Sequence, residues 1–178
     1  MSAKKSKKKI LYIADNLYPQ FTGGAEINDA CLVKILELRG HKVAVYQSAD
    51  ISPKHIKIFL KAGYKILLSN FLTVPREALY FLLDNPGCYS IIEHDHKYLK
   101  TRDPSPFENY QAPDDAIVNK ILYERAAAVF AQSKKHKEII EQNLKIQNVY
   151  NLGMSLWDIQ QIQYMRDLLA RRTKLLEG

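Results

Sequence analysis

The sequence predicts an α/β domain, an open doubly wound parallel sheet of about six strands with helices on both faces. Three observations predict it. Short apolar or β-branched runs alternate with stretches of helical periodicity, the pattern of consecutive strand–helix–strand units. The first run, residues 10–14, is continuously apolar, as a strand buried on both faces requires. A loop punctuated by Pro19 then leads into a helix that opens on Gly23-Gly24.

That first helix carries apolar positions at Ile27, Cys31, Ile35 and Leu38 and stops at Arg39-Gly40-His41, with Gly40 past its end. Residues 42–47 (KVAVYQ) form a second strand. A helix over 53–62 begins with Pro53 in its first turn and turns Ile56, Phe59 and Leu60 inward. Its Lys54, Lys57 and Lys61 make a basic face, either solvated or resting on a membrane surface. Residues 65–69 give the third strand, 75–83 a helix, and 88–93 the fourth strand after a Pro86-Gly87 turn. A polar segment with Pro104, Pro106 and Pro113 fills 94–113. A helix over 114–125, capped by Asp114 or Asp115, follows. Residues 127–131 are the fifth strand, Ser133 caps a helix over 134–143, and 148–150 are a short sixth strand. A terminal amphipathic helix spans 155–177, with Ser155 and Asp158 as a weak capping box.

With 178 residues and 47% hydrophobic content, the chain suffices for one domain with a sizeable core. The expected organisation is a disordered lysine-rich tail over 1–8, the α/β domain over 9–153, and the helix of 154–178. That helix either packs back on the domain or leads to a second one. The net charge is +7, and Lys4, Lys5, Lys7, Lys8 and Lys9 hold five of those charges. The remainder carries about +2, so no specific nucleic-acid partner is expected from charge. No apolar run reaches about 18 residues, no secretory signal opens the chain, and two cysteines suggest a reducing compartment. A cytoplasmic location is expected, with membrane-surface contact as an alternative.

Ligands of doubly wound sheets gather at the carboxyl ends of the strands. Three segments leave such ends: 16–24, 94–113 and Gln132-Ser133. At the first, Gly23 and Gly24 open a helix whose unpaired N–H groups favour negative charge. A tight turn needing glycine for sterics alone explains the pair equally. At the second, Glu93-His94-Asp95-His96 is the densest cluster of functional side chains. Neighbours in an extended segment point in opposite directions, which disfavours a shared metal ion. One imidazole moving a proton or orienting a substrate is the better use of the cluster, against plain surface histidines. Lys97, Lys100 and Arg102 follow, able to face an anionic group or simply water. Asp50 is a possible ribose ligand. Gly-x-Gly-x-x-Gly, a P-loop, Gly-x-Ser-x-Gly and Cys-x-x-Cys are all absent.

Taken together these stretches resemble the N-terminal half of GT-B glycosyltransferases, in particular the large retaining family 4. Residues 18–26 (YPQFTGGAE) look like that family's loop-to-helix step, and residues 38–45 (LRGHKVAV) like its helix-to-strand step. Residues 93–96 (EHDH) look like its acceptor-side histidine segment, and 129–133 (VFAQS) like its strand ending in a capping serine. Residues 148–153 (NVYNLG) are a looser match. The resemblance spans about 9–153. It implies a Rossmann-like fold, a nucleotide-sugar as co-substrate with no separate cofactor or metal, and a glycan, lipid or small-molecule acceptor. It implies His94 or His96 near the reacting hydroxyl. Gly23 and Gly24 would lie against the donor diphosphate or acceptor, and Glu26 would shape the loop. Asp95, Lys97, Arg102 and Ser133 complete the expected binding residues. The family holds its donor mainly on a second domain, so the chain is expected to transfer no sugar without a donor-binding domain or partner chain. A non-catalytic α/β binding or scaffold subunit is the alternative.

Overall fold

The computed structural model describes residues 7–153, 156–157 and 159–177. Six strands form a single all-parallel sheet: β1 (Lys9–Ala14), β2 (Lys42–Gln47), β3 (Tyr64–Leu68), β4 (Tyr89–Glu93), β5 (Val129–Ala131) and β6 (Val149–Asn151), in spatial order 2-1-3-4-5-6. The doubly wound fold read from the sequence is therefore the fold observed. Order reverses at β1, whose neighbours are β2 and β3, so the connections leaving β1 and β3 diverge and open a crevice.

Period-two alternation divides the sheet residues between two layers. Leu11, Ile13, Ile66, Leu68, Tyr89, Ile91, Val129, Ala131 and Val149 face one layer. There they meet α2 (Pro53–Lys61), α3 (Arg76–Asp84), α4 (Lys120–Glu124) and α5 (Lys134–Leu144). Tyr12, Ala14 and Ile92 face the other, under Leu32 and Val33 of α1 (Gly24–Leu38). The final helix, α6 (Ile159–Glu177), begins beside α1, where the Leu156 amide donates to Asn28 Oδ1 at 2.6 Å.

Local chemistry sets the helix limits. Ser52 and Ser133 accept from the backbone N–H three residues on, at 3.3 and 3.1 Å, and cap α2 and α5. Gly40, at φ 81°, ends α1 in the left-handed conformation a side chain resists. On α2, Ile56 is wholly buried while Lys54, Lys57 and Lys61 face solvent.

Two expectations need correction. The helix expected over 114–125 is broken: a 3₁₀ turn at Asp114–Ala116 is followed by extended backbone, and α4 starts only after Asn119. The break has a cause. Ile117 pairs antiparallel with Leu99, and the flanking bonds Lys100 N–H to Ala116 O and Val118 N–H to Tyr98 O pull 116–118 out of helical geometry. Asn119 then reverses the chain at φ 55°. Neither Asp114 nor Asp115 caps α4. The second correction concerns the tail: Lys8 is tied to β2, its amide donating to His41 Nδ1 at 2.9 Å and its carbonyl accepting from Lys42. Residues 1–6 and the capping box of Ser155 and Asp158 lie outside the described residues.

Candidate functional site

Three adjacent strands end alike. Leu67, Ile92 and Phe130 lie on the α1 side of the sheet, and two residues further on come Ser69, His94 and Gln132 on that same side. An apolar floor thus gains a polar rim where the strands stop. With Leu32 and Leu36 of α1, and Leu152 and Leu156, all of these but Ser69 wall a hollow of about 220 Å³.

The rim is organised by Asp29, which α1 turns down onto the sheet and which is 5% exposed. Its Oδ1 accepts from Tyr12 Oη at 2.7 Å and from His94 Nε2 at 2.8 Å, and its Oδ2 accepts from Ser69 Oγ at 2.7 Å. The His94 Nε2–H also reaches Ser69 Oγ at 3.0 Å, while Gln132 Nε2 donates to His94 Nδ1 at 2.8 Å. These partners set Nε2–H toward Asp29 and direct Nδ1 at the Gln132 amide. Burial, then the Asp29 carboxylate, push the Tyr12 hydroxyl well above the ordinary tyrosine range, so it stays a donor. Asp29 therefore orients the imidazole, and Nδ1 is the atom able to accept from a ligand hydroxyl once the Gln132 amide moves aside.

The neighbouring side chains go elsewhere. Glu93 points to the opposite layer and is fully buried with Lys97, whose Nζ lies 3.2 Å from Glu93 Oε1 and also pairs with Asp95. Tyr123 Oη donates to the other Glu93 oxygen. Burial alone would raise the Glu93 carboxyl. Lys97, Tyr123 and the Asp95 amide outweigh it and hold the carboxyl at about 2. Burial likewise works against the charge on Lys97, but Glu93 and Asp95 win and raise its pKa. Lys97 is thus an internal counter-ion, not a residue turned toward an outside anion. Arg102, half exposed, reaches Asp95 at 3.2 Å.

His96 also lies away from the hollow. Its Nδ1 is 2.7 Å from Tyr98 Oη, and its ring sits 4.4 Å from that of His136, centre to centre. Burial lowers both imidazoles, that of His136 to about 4 with further repulsion from His96. Of the two expected histidines, His94 lines the hollow and His96 belongs to this separate buried cluster.

Gly23 caps α1 without a side-chain bond, and a Cβ there would meet Glu26 Oε2 at 2.3 Å, the movable end of a flexible side chain. Gly24 has open space around it. The Glu26 carboxylate thus already brings negative charge to the α1 N-terminus. Glu26 lines a second hollow of about 330 Å³ on the other flank of α1, which shares Asp29 and also holds Tyr12. Ser133 caps α5, as expected. Asp50 is exposed beyond β2.

Asp29 is the candidate-site residue that sequence reasoning missed, together with Ser69; Gln132 was marked only as part of a strand-end segment. Periodicity points to Ile27, Cys31, Ile35 and Leu38. The face on the sheet instead carries Asp29, Leu32, Val33 and Leu36, while Leu38 is 79% exposed. The available signal was the recurrence of an apolar residue followed two places later by Ser, His or Gln at three strand ends. Among the described residues no group of three or more His, Cys, Asp or Glu is placed to hold a metal ion, and no helix is long and apolar enough to cross a membrane.

No protein-family model and no curated protein matches the chain. Among solved structures it is similar to a co-crystal structure of the Saccharomyces cerevisiae histidine phosphotransfer signaling protein Ypd1 with the receiver domain of its downstream response regulator Ssk1. Identity is 14%, the match covers 83% of this chain and 80% of that chain, and the TM-score is 0.32. A likeness that slight carries no argument about function.

Proposed function

We propose that the chain is the acceptor-binding half of a nucleotide-sugar-dependent glycosyltransferase, working with a donor-binding domain supplied in the same chain or by a partner. The observation that carries this reading is the Asp29–His94 pair at the head of a hollow, where the strands of a doubly wound sheet end. The resemblance of residues 9–153 to the N-terminal half of family 4 enzymes supports the reaction class.

In this reading the acceptor hydroxyl replaces the Gln132 amide at His94 Nδ1, while Asp29 holds Nε2–H and fixes the ring. His94 accepts a hydrogen bond from the hydroxyl and steers its oxygen toward the sugar carbon. Positioning and stabilisation of the departing diphosphate by the donor half supply the rest of the rate. The test is to follow nucleoside diphosphate release from a panel of nucleotide-sugars, with the chain alone and with a donor-binding domain fused or added. The expected result is none alone and turnover in combination. Turnover by the purified chain alone would falsify the division of labour.

One observation favours a second reading, a non-catalytic binding subunit: both His94 nitrogens already have partners inside the protein. Under that reading His94 is a structural link between α1 and β5, and its replacement changes stability but not turnover in the combined enzyme.

A further inference from the structure

Beyond the His94 hollow, an open groove of about 450 Å³ lies between the β1–α1 loop and α6, lined by Tyr18, Trp157, Gln160, Gln161, Tyr164 and Met165. Its three aromatic side chains remain 48%, 47% and 64% exposed for Tyr18, Trp157 and Tyr164. Large aromatic rings gathered in one exposed concavity mark a binding surface. Their setting narrows the ligand. Among the described residues lining the groove none is charged, which favours a neutral ligand over phosphates, nucleotides and anionic headgroups. The Gln160 amide stands among the rings, carrying both donor and acceptor atoms. Flat rings that stack on C–H faces, next to an amide that matches paired hydroxyls, fit a neutral saccharide.

The groove adjoins the second hollow. Tyr18 also walls the hollow that holds Tyr12, Glu26 and Asp29. The Leu156 amide, one residue before Trp157, is fixed to Asn28 on the turn of α1 that carries Asp29. We infer that this groove binds the inner residues of a neutral oligosaccharide acceptor, stacked on Tyr18, Trp157 and Tyr164, while its terminal sugar extends into the adjoining hollow beside Asp29, the carboxylate bonded to His94. The link to an acceptor rests on the proposed transferase reading; binding of the oligosaccharide does not.

Trp157 is the single tryptophan of the chain, so its fluorescence reports on the groove directly. Titration of the full chain with maltohexaose, cellohexaose, chitohexaose and mannohexaose should give a saturable emission change with at least one of them. The matching monosaccharide should bind at least tenfold more weakly. Tyr18→Ala and Tyr164→Ala should each weaken the hexasaccharide at least tenfold, and Lys57→Ala, on the exposed face of α2, should leave it within twofold. No saturable change with any of the four would overturn the proposal. So would a change indifferent to both tyrosines, or one produced only by phospholipid vesicles. Binding that persists in a combined enzyme without transfer sinks the transferase reading and leaves the groove standing.

Discussion

Asp29 holds three donors at once, and each of them is buried or nearly so. Asp29→Ala leaves Tyr12 Oη, Ser69 Oγ and His94 Nε2–H without that partner. It is expected to cost about 3 kcal/mol of unfolding free energy in urea titration, against about 1 kcal/mol for Tyr12→Phe. A second expectation concerns pH. The His136 imidazole, lowered to about 4 by burial and by His96, stays neutral in the folded chain where the unfolded chain, at 6.5, takes up a proton. The unfolded state binds more protons in that window, so stability falls as pH drops from 6.5 to 4. Glu93, held at about 2 against 4.5, extends the loss from pH 4.5 down to 2. His136→Phe should flatten the upper part of the curve without abolishing it, because His96 is lowered as well. An unchanged slope above pH 4.5 would contradict the assignment. At this scale the sequence showed His94 and its neighbours but not their division between two layers. Glu93 and His94 are adjacent in sequence yet serve opposite faces of the sheet. Asp29 lay hidden because a carboxylate on a buried helix face runs against the hydrophobic period.

Ser133 illustrates what can be read at the level of elements. Serine before a helical run is a cap by simple chemistry, and its Oγ indeed accepts from the His136 amide. Ser133→Ala should lower stability by about 1 kcal/mol in chemical denaturation, as for other lost N-caps. A near-zero effect would contradict a stabilising role for this cap. Strands were legible for a similar reason, since runs such as 10–14 and 42–47 need only local pattern. The broken helix over 114–125 was not. Its interruption depends on Leu99 pairing with Ile117, a contact between segments that share no local signal. The buried face of α1 was misread because Ile27 and Cys31, apolar and correctly spaced, line a hollow that opens toward Gln161 of α6. Amphipathicity gives a helix a face; it does not say which neighbour that face meets.

Across the whole molecule, the strand order places every residue of the candidate site. Tyr12, Ser69, His94 and Gln132 come from β1 or from just past β3, β4 and β5, side by side in the sheet, and α1 lowers Asp29 among them. Exposed apolar residues remain on α6, including Ile159, Leu168 and Leu169. The proposed acceptor-side half, working with a donor-binding half, fits a hollow at the strand ends with an oriented imidazole among its walls. The most direct measurement is therefore steady-state transfer by the combined enzyme carrying His94→Gln, compared with the unsubstituted enzyme at a temperature where both are folded. Glutamine keeps a donor for Asp29 but provides no titratable nitrogen. The account predicts that kcat falls by about a hundredfold or more. Turnover unchanged within twofold would contradict it and leave His94 as a structural link alone.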